Sequence, residues 1–571
     1  MSYQNNYGER IDENSAMVNR GVFNAGIGKV DPPNWCRLRW NDLAGRFNPM
    51  LMHDPFNFQA KSRGSSPFAS CEGVSITYAE AHERTERLAS IISEQGVRKG
   101  DRFCLLMRNS IDYILLIYAG SRIGAVPVTL NYRLAPPEWA DTIADSESGL
   151  IVSDIEFCEA VDAGLSQLEN APAISRVSIG SGACNWHSLE DALNNTRSAC
   201  RPVALHPDDA ALQMYTSGTT GKPKGVVLSH RAFVSNITQS LFSMPYRLNP
   251  GERTLVVLPL FHIAAIATSF SAVSSGAMLV VHREVNPVAI ANSLVHDEIV
   301  VASLVPAVIQ LLLTGVPELE AMEFPKLAFV GYGASPIAEP VLRRAMEVFK
   351  CHFAQGYGMT ELAGSCALLT EEDHRRALAD DPGLLLSAGK ALPGVQLRIV
   401  GSDEVDLPPG EVGEVLVRGP QLMSGYWRMS EETAETLRHG WLHTGDAGYL
   451  DAEGYLYIYD RIKDMIVSGA ENIYPSEIES VLHRHPGIAD ASVIGVPDER
   501  WGETVMAIVV TKPGAALSED ELDRFCRKRL GAFKVPRKYT FVQSLPRNPA
   551  GKIVKKELRK KYWADQPRQV R

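Results

Sequence analysis

Residues 214–230 read MYTSGTTGKPKGVVLSH, a run whose centre is almost entirely small, hydroxylated or basic. Gly218 and Gly221 can take the positive φ that lets neighbouring backbone N–H groups converge on an anion. Thr216, Ser217, Thr219 and Thr220 add hydroxyl donors, and Lys222 and Lys224 add charge. The chemistry open to these residue types is a grip on a polyphosphate. The run departs from the common P-loop, which reads G-x-x-x-x-G-K followed by Ser or Thr. Thr216 stands where that pattern needs its first glycine, and Pro223 follows Lys222. Pro223 stiffens the turn and argues against a helix starting there. The apolar runs AALQM before the loop and GVVLS after it read as strands, so the loop is expected to hang between two strand ends. A plain Ser/Gly surface loop is the alternative.

Other residues have chemistry of their own. In QGYGMTE (355–361), Thr360 stands beside Glu361, a hard oxygen ligand suited to a magnesium ion bridging phosphates. Asp446, in TGDAG, offers acceptor oxygens for sugar hydroxyls, although an aspartate in such a turn more often serves the turn itself. His262 lies in the apolar run LPLFHIAAI, where a satisfied core histidine is the ordinary outcome. Lys552 follows PAG on a turn before IVKKELRKK. A positioned ammonium can stabilise negative charge that develops in a transition state. A lysine of a solvated basic tail is the competing reading.

The elements that must carry these residues alternate along the chain. YAEAHERTERLASIISEQGV and SIDYILLIYAGSRIG have helical periodicity and end in glycine, whereas RFCLLM, AVPVTLN, SGLIVSD, TLVVLPL, AMLVVHR, EIVVASLVP and KLAFVGYGAS read as buried strands. Strands alternating with helices predict layered α/β subdomains with largely parallel sheets. After about residue 390 the segments turn hairpin-like and predict a β-rich subdomain, followed by a small α+β unit. The expected organisation is an irregular extension over 1–45, a large domain over 46–462 and a small mobile domain over 463–571.

A chain of 571 residues is too long for one core. Its hydrophobic share of 45% and charged share of 22% match ordinary globular domains. A net charge of −10 argues against general nucleic-acid binding. The nine cysteines include no C-x-x-C pair, which reads as reduced thiols rather than a disulfide or zinc framework. The polar start lacks a signal peptide, the uncharged stretch 254–281 reads as core rather than membrane span, and the C-terminal RQVR is no lipidation signal. These features point to a cytoplasmic protein without a transmembrane segment; homodimer formation is left open.

Residues 215–225, YTSGTTGKPKG, match throughout the signature of the adenylate-forming superfamily, which includes acyl-CoA synthetases, peptide-synthetase adenylation domains and luciferases. Further blocks resemble that family in its own order: LPLFHIAAI, GYGASP, QGYGMTE, WLHTGDAGYLDAEGY, DRIKDMIVSGAENIYPSEIE and PRNPAGKIVKKEL. The resemblance implies an ATP-, Mg²⁺- and coenzyme A-dependent acid–thiol ligase acting on a carboxylic acid, fatty or aryl. It implies that Gly333, Ala334, Ser335 and Gly356 form the adenine site and that Tyr357 stacks on the base. Thr360 would contact the α-phosphate, Glu361 the metal, and Asp446 with Arg461 the ribose. His262 would border the acyl site, and Lys552 would bridge the carboxylate and the α-phosphate. Lys463 would be the hinge of the small domain, and Gly469 in SGAEN would line the pantetheine channel. GYGASP, in place of a start such as Ser-Gly-Gly, looks most like bacterial medium- and long-chain fatty-acyl-CoA ligases, and the small Ala264 and Ala265 after His262 and Ile263 leave room for a chain. Transfer of the acyl group to a carrier protein or another acceptor is the alternative within the family. A phosphate-releasing NTPase or a nucleotide-binding regulator is the alternative from another class.

Overall fold

The computed structural model describes residues 50–180, 185–196, 203–216, 223–244, 246–335, 337, 339–461, 464–468, 471–498, 501–547 and 552–563. The extension expected over 1–45, the loop residues Ser217, Gly218, Thr219, Thr220 and Gly221, the expected hinge Lys463 and Gly469 lie outside the described residues.

Two large sheets organise the chain up to about residue 430. One has eight strands, in spatial order Gly425–Tyr426, Lys224–Ser229, Ala210–Thr216, Val126–Thr129, Arg102–Leu106, Leu150–Asp154, Ser175–Ile179 and His187–Ser188. It is parallel from Ala210–Thr216 to His187–Ser188, and Lys224–Ser229 turns back antiparallel. The other has nine strands, in the order Lys390–Ala391, Gly364–Leu369, His352–Met359, Phe329–Gly333, Ile299–Leu304, Arg253–Val256, Met278–Val281, Pro67–Cys71 and Val74–Thr77. The apolar strand runs follow from this arrangement, because parallel strands covered on both faces have no solvent side to make polar.

Helices lie between the two sheets. Ile111–Ile123 starts on Ser110, whose hydroxyl accepts from the Tyr113 N–H, and stops at Gly124 in the left-handed region. It is buried nearly all round and packs on strands of both sheets, as a helix apolar on every side must. Tyr78–Glu94 begins with a reciprocal capping box between Thr77 and Glu80. A ring stack crosses the layer, with Tyr118 centred 4.5 Å from Phe56 and 4.2 Å from Phe270. It fixes the helix Ile263–Ser274, which follows His262, against two others.

The sequence reading began its alternation at Tyr78. The structure adds a helix, Asp54–Ser62, and the strands Pro67–Cys71 and Val74–Thr77 before it. Pro67–Cys71 is only five residues long, with just Phe68 and Ala69 buried, and its parallel partner is Met278–Val281, so nothing local marks it as part of a core sheet.

Downstream, Gln396–Val400, Gly413–Arg418, Leu437–Arg438, Trp441–Leu450 and Leu456–Arg461 form an antiparallel sheet, as the hairpin signals predict. The last unit has its own sheet, built around the long hairpin Ile488–Asp498 and Gly502–Thr511, with the helices Pro475–His483, Glu519–Arg527 and Lys555–Lys560. Among the described residues no helix is long and apolar enough to cross a membrane.

Candidate active site

Thr216 pairs directly with Lys224 across the antiparallel strands, so the glycine-rich loop leaves and re-enters the sheet at one point. Strand resumes at Lys224, and no helix begins at Pro223, as the sequence suggested. The Lys224 ammonium lies 4.7 Å from the ring centroid of Tyr426. The Tyr426 hydroxyl donates to Glu361 Oε1 at 3.1 Å. Glu361 is buried in the single 3₁₀ turn Thr360–Leu362 that follows the strand His352–Met359, and its carbonyl accepts from the Met423 N–H at 2.8 Å. The hairpin lysine and the candidate metal ligand thus share one tyrosine.

Asn236 supports that turn from the helix after the hairpin. Its Nδ2 donates to the carbonyls of Ser365 at 2.6 Å and Leu362 at 3.4 Å. Gly364 between them has φ 141°, and a Cβ there would collide with Asn236 Oδ1. Only glycine meets both conditions.

The adenine-type block sits where two parallel strands end. Gly333 lies opposite Gly356, and a Cβ on Gly333 would overlap the Gly356 carbonyl oxygen. Ala334 is exposed at φ 68°, and Ser335 follows it, half exposed. The intervening Tyr332 faces the other way, its hydroxyl 2.9 Å from His374 Nε2. Tyr357 points to the third sheet, where its hydroxyl donates to Asp446 Oδ2 at 2.6 Å. Asp446 is buried on Trp441–Leu450 directly opposite Arg461 in the antiparallel register. Tyr357, Asp446 and the backbone of Arg461 are therefore brought together, and the turn reading of Asp446 gives way to a buried carboxylate held by a tyrosine.

His262 stands at the N-cap of Ile263–Ser274, yet its imidazole makes no capping bond. Its Nε2 is out of contact with solvent and has no hydrogen-bond partner among the described residues. Burial pushes its pKa down, and the positive charges of Lys552 and Arg133 push it further, to about 4. The ring is therefore neutral at pH 7. Lys552, an exposed side chain of the last unit, is thus one of the two cations whose charge acts on His262. The adjoining Ile553 bridges to Arg547 and packs with Leu558 and Tyr562 on Ile494, Val496, Met506 and Ile508. The position of Lys552 is thus set by the small sheet.

Asn109 ties the His262 segment down. It is buried, its Nδ2 donates to the Leu258 carbonyl at 2.9 Å and its Oδ1 accepts from the Leu260 N–H at 2.8 Å. The sequence reading missed Asn109, Asn236 and Tyr426. A single buried amide or phenol carries no periodic signal, and its partners are far along the chain.

No group of three or more His, Cys, Asp or Glu side chains capable of holding a metal occurs among the described residues. A magnesium ion held through nucleotide phosphates needs only one or two carboxylates, and the buried Glu361 fits that requirement.

Residues 56–427 match the AMP-binding enzyme family, and residues 477–552 match the AMP-binding enzyme C-terminal domain. The chain is 38% identical over 520 residues to a fatty acid–acyl-carrier-protein ligase of Streptomyces coeruleorubidus, covering 90% of this chain and 97% of the relative. It is 35% identical over 500 residues to a long-chain-fatty-acid–CoA ligase of Mycobacterium tuberculosis, covering 87% and 95%. Among solved structures, o-succinylbenzoate CoA synthetase of Bacillus subtilis, in complex with its acyl-adenylate intermediate, superposes with a TM-score of 0.77 at 30% identity, covering 88% of this chain and 97% of that one. The chain therefore belongs to the AMP-binding enzyme family, the adenylate-forming ligases of carboxylic acids.

Proposed function

We propose that the protein joins a fatty or aryl carboxylic acid to coenzyme A in two steps at one site. A carboxylate oxygen attacks the α-phosphorus of ATP, the bond to the β-phosphate breaks, and acyl-AMP and pyrophosphate form. The thiolate of coenzyme A then attacks the acyl carbon, the carbon–oxygen bond to AMP breaks, and AMP leaves. The observation that carries this reading is the charge of Lys552, supplied by the small domain, acting on His262, a neutral imidazole of the large one whose buried Nε2 has no hydrogen-bond partner among the described residues. A cation at that place offsets the repulsion between carboxylate and phosphate and stabilises the charge of the transition state.

In this reading the loop from Thr216 to Lys224 holds the phosphates that leave as pyrophosphate, and Thr360 meets the α-phosphate. Glu361 would hold the magnesium ion, which supplies charge neutralisation at the phosphates. Gly333, Ala334, Ser335 and Gly356 shape the adenine pocket, Tyr357 covers the base, and Asp446 with Arg461 takes the ribose. His262 and the small Ala264 border the acyl chain. Lys463 is the hinge between a large domain ending at 462 and a small one beginning at 463, and Gly469 lines the thiol channel. A carrier protein is the competing acceptor, since the Streptomyces relative is named for that acceptor.

Product analysis tests the reading. Incubation with ATP, Mg²⁺ and a panel of fatty, aryl and branched acids should release pyrophosphate, and AMP should follow in step with thioester when coenzyme A is added. ADP and orthophosphate, or nucleotide turnover without an acid, would overturn it. Thioester formed on a phosphopantetheinylated carrier protein but not on coenzyme A would replace the acceptor.

A further inference from the structure

Resting on the functional reading above, we propose that Tyr426 is a positioning residue, one that holds the Glu361 carboxylate and the Lys224 ammonium in place for the metal-bound polyphosphate of the nucleotide. Its hydroxyl donates to one carboxylate oxygen, Glu361 Oε1 at 3.1 Å, and its ring face receives the Lys224 ammonium at 4.7 Å. A carboxylate has about four lone-pair sites, so one donated hydroxyl orients the group and still leaves lone pairs for a hard cation. A lysine over an aromatic face is directed by the ring rather than left to sample solvent.

The tyrosine is itself held from both sides. The edge strand Gly425–Tyr426 and its neighbours run along the hairpin: Tyr426 lies opposite Val226, the Ser424 N–H donates to the Val227 carbonyl at 2.9 Å, and the Trp427 N–H donates to the Gly225 carbonyl at 2.7 Å. The Met423 N–H bonds the carbonyl of Glu361 itself. Trp427 anchors the far end, its indole N–H on the Asp145 carbonyl at 2.9 Å and the Arg102 guanidinium 3.5 Å above its ring. Residues 423–427 are therefore bonded to the Glu361 turn and to the glycine-rich hairpin. Tyr426 cannot shift relative to either without breaking main-chain hydrogen bonds.

Tyr426→Phe keeps the ring and removes the donor. Losing a hydrogen bond to a charged group should raise the Mg²⁺ concentration for half-maximal pyrophosphate exchange about tenfold. Mn²⁺ binding in the presence of ATP, followed by paramagnetic resonance, should weaken by a similar factor. The KM for the acid and the thermal midpoint should not change. Tyr426→Leu, which also removes the ring, should raise the KM for ATP further. In a Glu361→Gln background, Tyr426→Phe should add nothing. Unchanged Mn²⁺ affinity in Tyr426→Phe, or an undiminished effect beside Glu361→Gln, would overturn the assignment. Failure of the unaltered protein to exchange pyrophosphate with any acid would instead overturn the functional reading, and the Mn²⁺ titration would still judge Tyr426.

Discussion

The two halves of the candidate site are built by opposite means. On the proposed nucleotide side, Tyr426 joins Lys224 to Glu361 by a ring contact and a 3.1 Å hydrogen bond, and Tyr357 bonds Asp446 at 2.6 Å, all within the large domain. Lys552 comes from the unit with the separate small sheet, is exposed, and is linked to His262 through its charge, which lowers the histidine's pKa. The first arrangement is fixed when the large domain folds. The second depends on where the small domain stands, and the contacts around it are modest: Tyr459 and Tyr474 stack at 4.8 Å, and Arg484 reaches Glu339 at 3.5 Å. An exposed pair of that kind contributes about 0–1 kcal/mol, so it tunes an orientation rather than locking it. The proposed reaction, which binds the nucleotide once and then changes the groups around one carbonyl, would gain from that division.

The sharpest way to break the comparison is Lys552→Ala. Pyrophosphate exchange should fall by about a thousandfold, as for loss of a group aimed at transition-state charge. Thioester formation from supplied acyl-adenylate should stay within a few-fold of the unaltered rate. Lys463→Pro should invert the pattern, sparing exchange and slowing overall thioester synthesis. Equal loss in both half-reactions for both variants would show that the small domain acts as a rigid part of one site.

Asp446→Ala probes the prebuilt side. Removing a buried acceptor and orphaning the Tyr357 hydroxyl should raise the KM for ATP on the order of a hundredfold, measured by initial rates at saturating acid. A change confined to the KM for the acid would remove Asp446 from the nucleotide side.

Acidification separates the two halves by stability. His53 and His230 are buried in the large domain, with His53 Nδ1 2.9 Å from Ser121 Oγ and His230 Nδ1 accepting from the Met52 N–H at 3.3 Å. Burial lowers both to about 4, opposed at His53 by Asp54 and reinforced at His230 by His53. Because the folded value lies below the unfolded value of about 6.5, the folded state binds fewer protons. Stability is therefore intact above about pH 6.5 and is lost as the pH falls toward 4. Between pH 7 and 5 the loss should be about 2 kcal/mol per histidine, read from urea unfolding at the two pH values. His230→Gln should flatten its share of that slope. A flat slope in the unaltered protein would show that neither histidine is held neutral.

Much of this was legible in the sequence because the signals were local. The strand–loop–strand setting of the glycine-rich run, the capped helices and the hairpin-rich third sheet all follow from periodicity and turn chemistry within a short window. The acidic and tyrosyl candidates Glu361, Tyr357 and Asp446 could be nominated one by one. That Tyr357 bonds Asp446, 89 positions away, could not be read, nor could the reach of Asn109 to residues 149 and 151 positions away. The strand Pro67–Cys71 was invisible for the same reason, since its partner lies far downstream.

The kinds of elements present and the chemical repertoire of each motif are written in the sequence, because backbone propensity and hydrogen-bonding capacity belong to residues and their near neighbours. The sequence also sets the Ser/Thr/Gly run between two strands rather than at the mouth of a helix. Which groups come together is a property of the folded chain: Tyr426 joins Lys224 to Glu361, and Lys552, one cation in a basic segment, is the lysine whose charge acts on His262. Those pairings are set by strand order and domain placement, which arise from burying the faces of whole sheets and leave no mark on the short stretches that carry the chemistry.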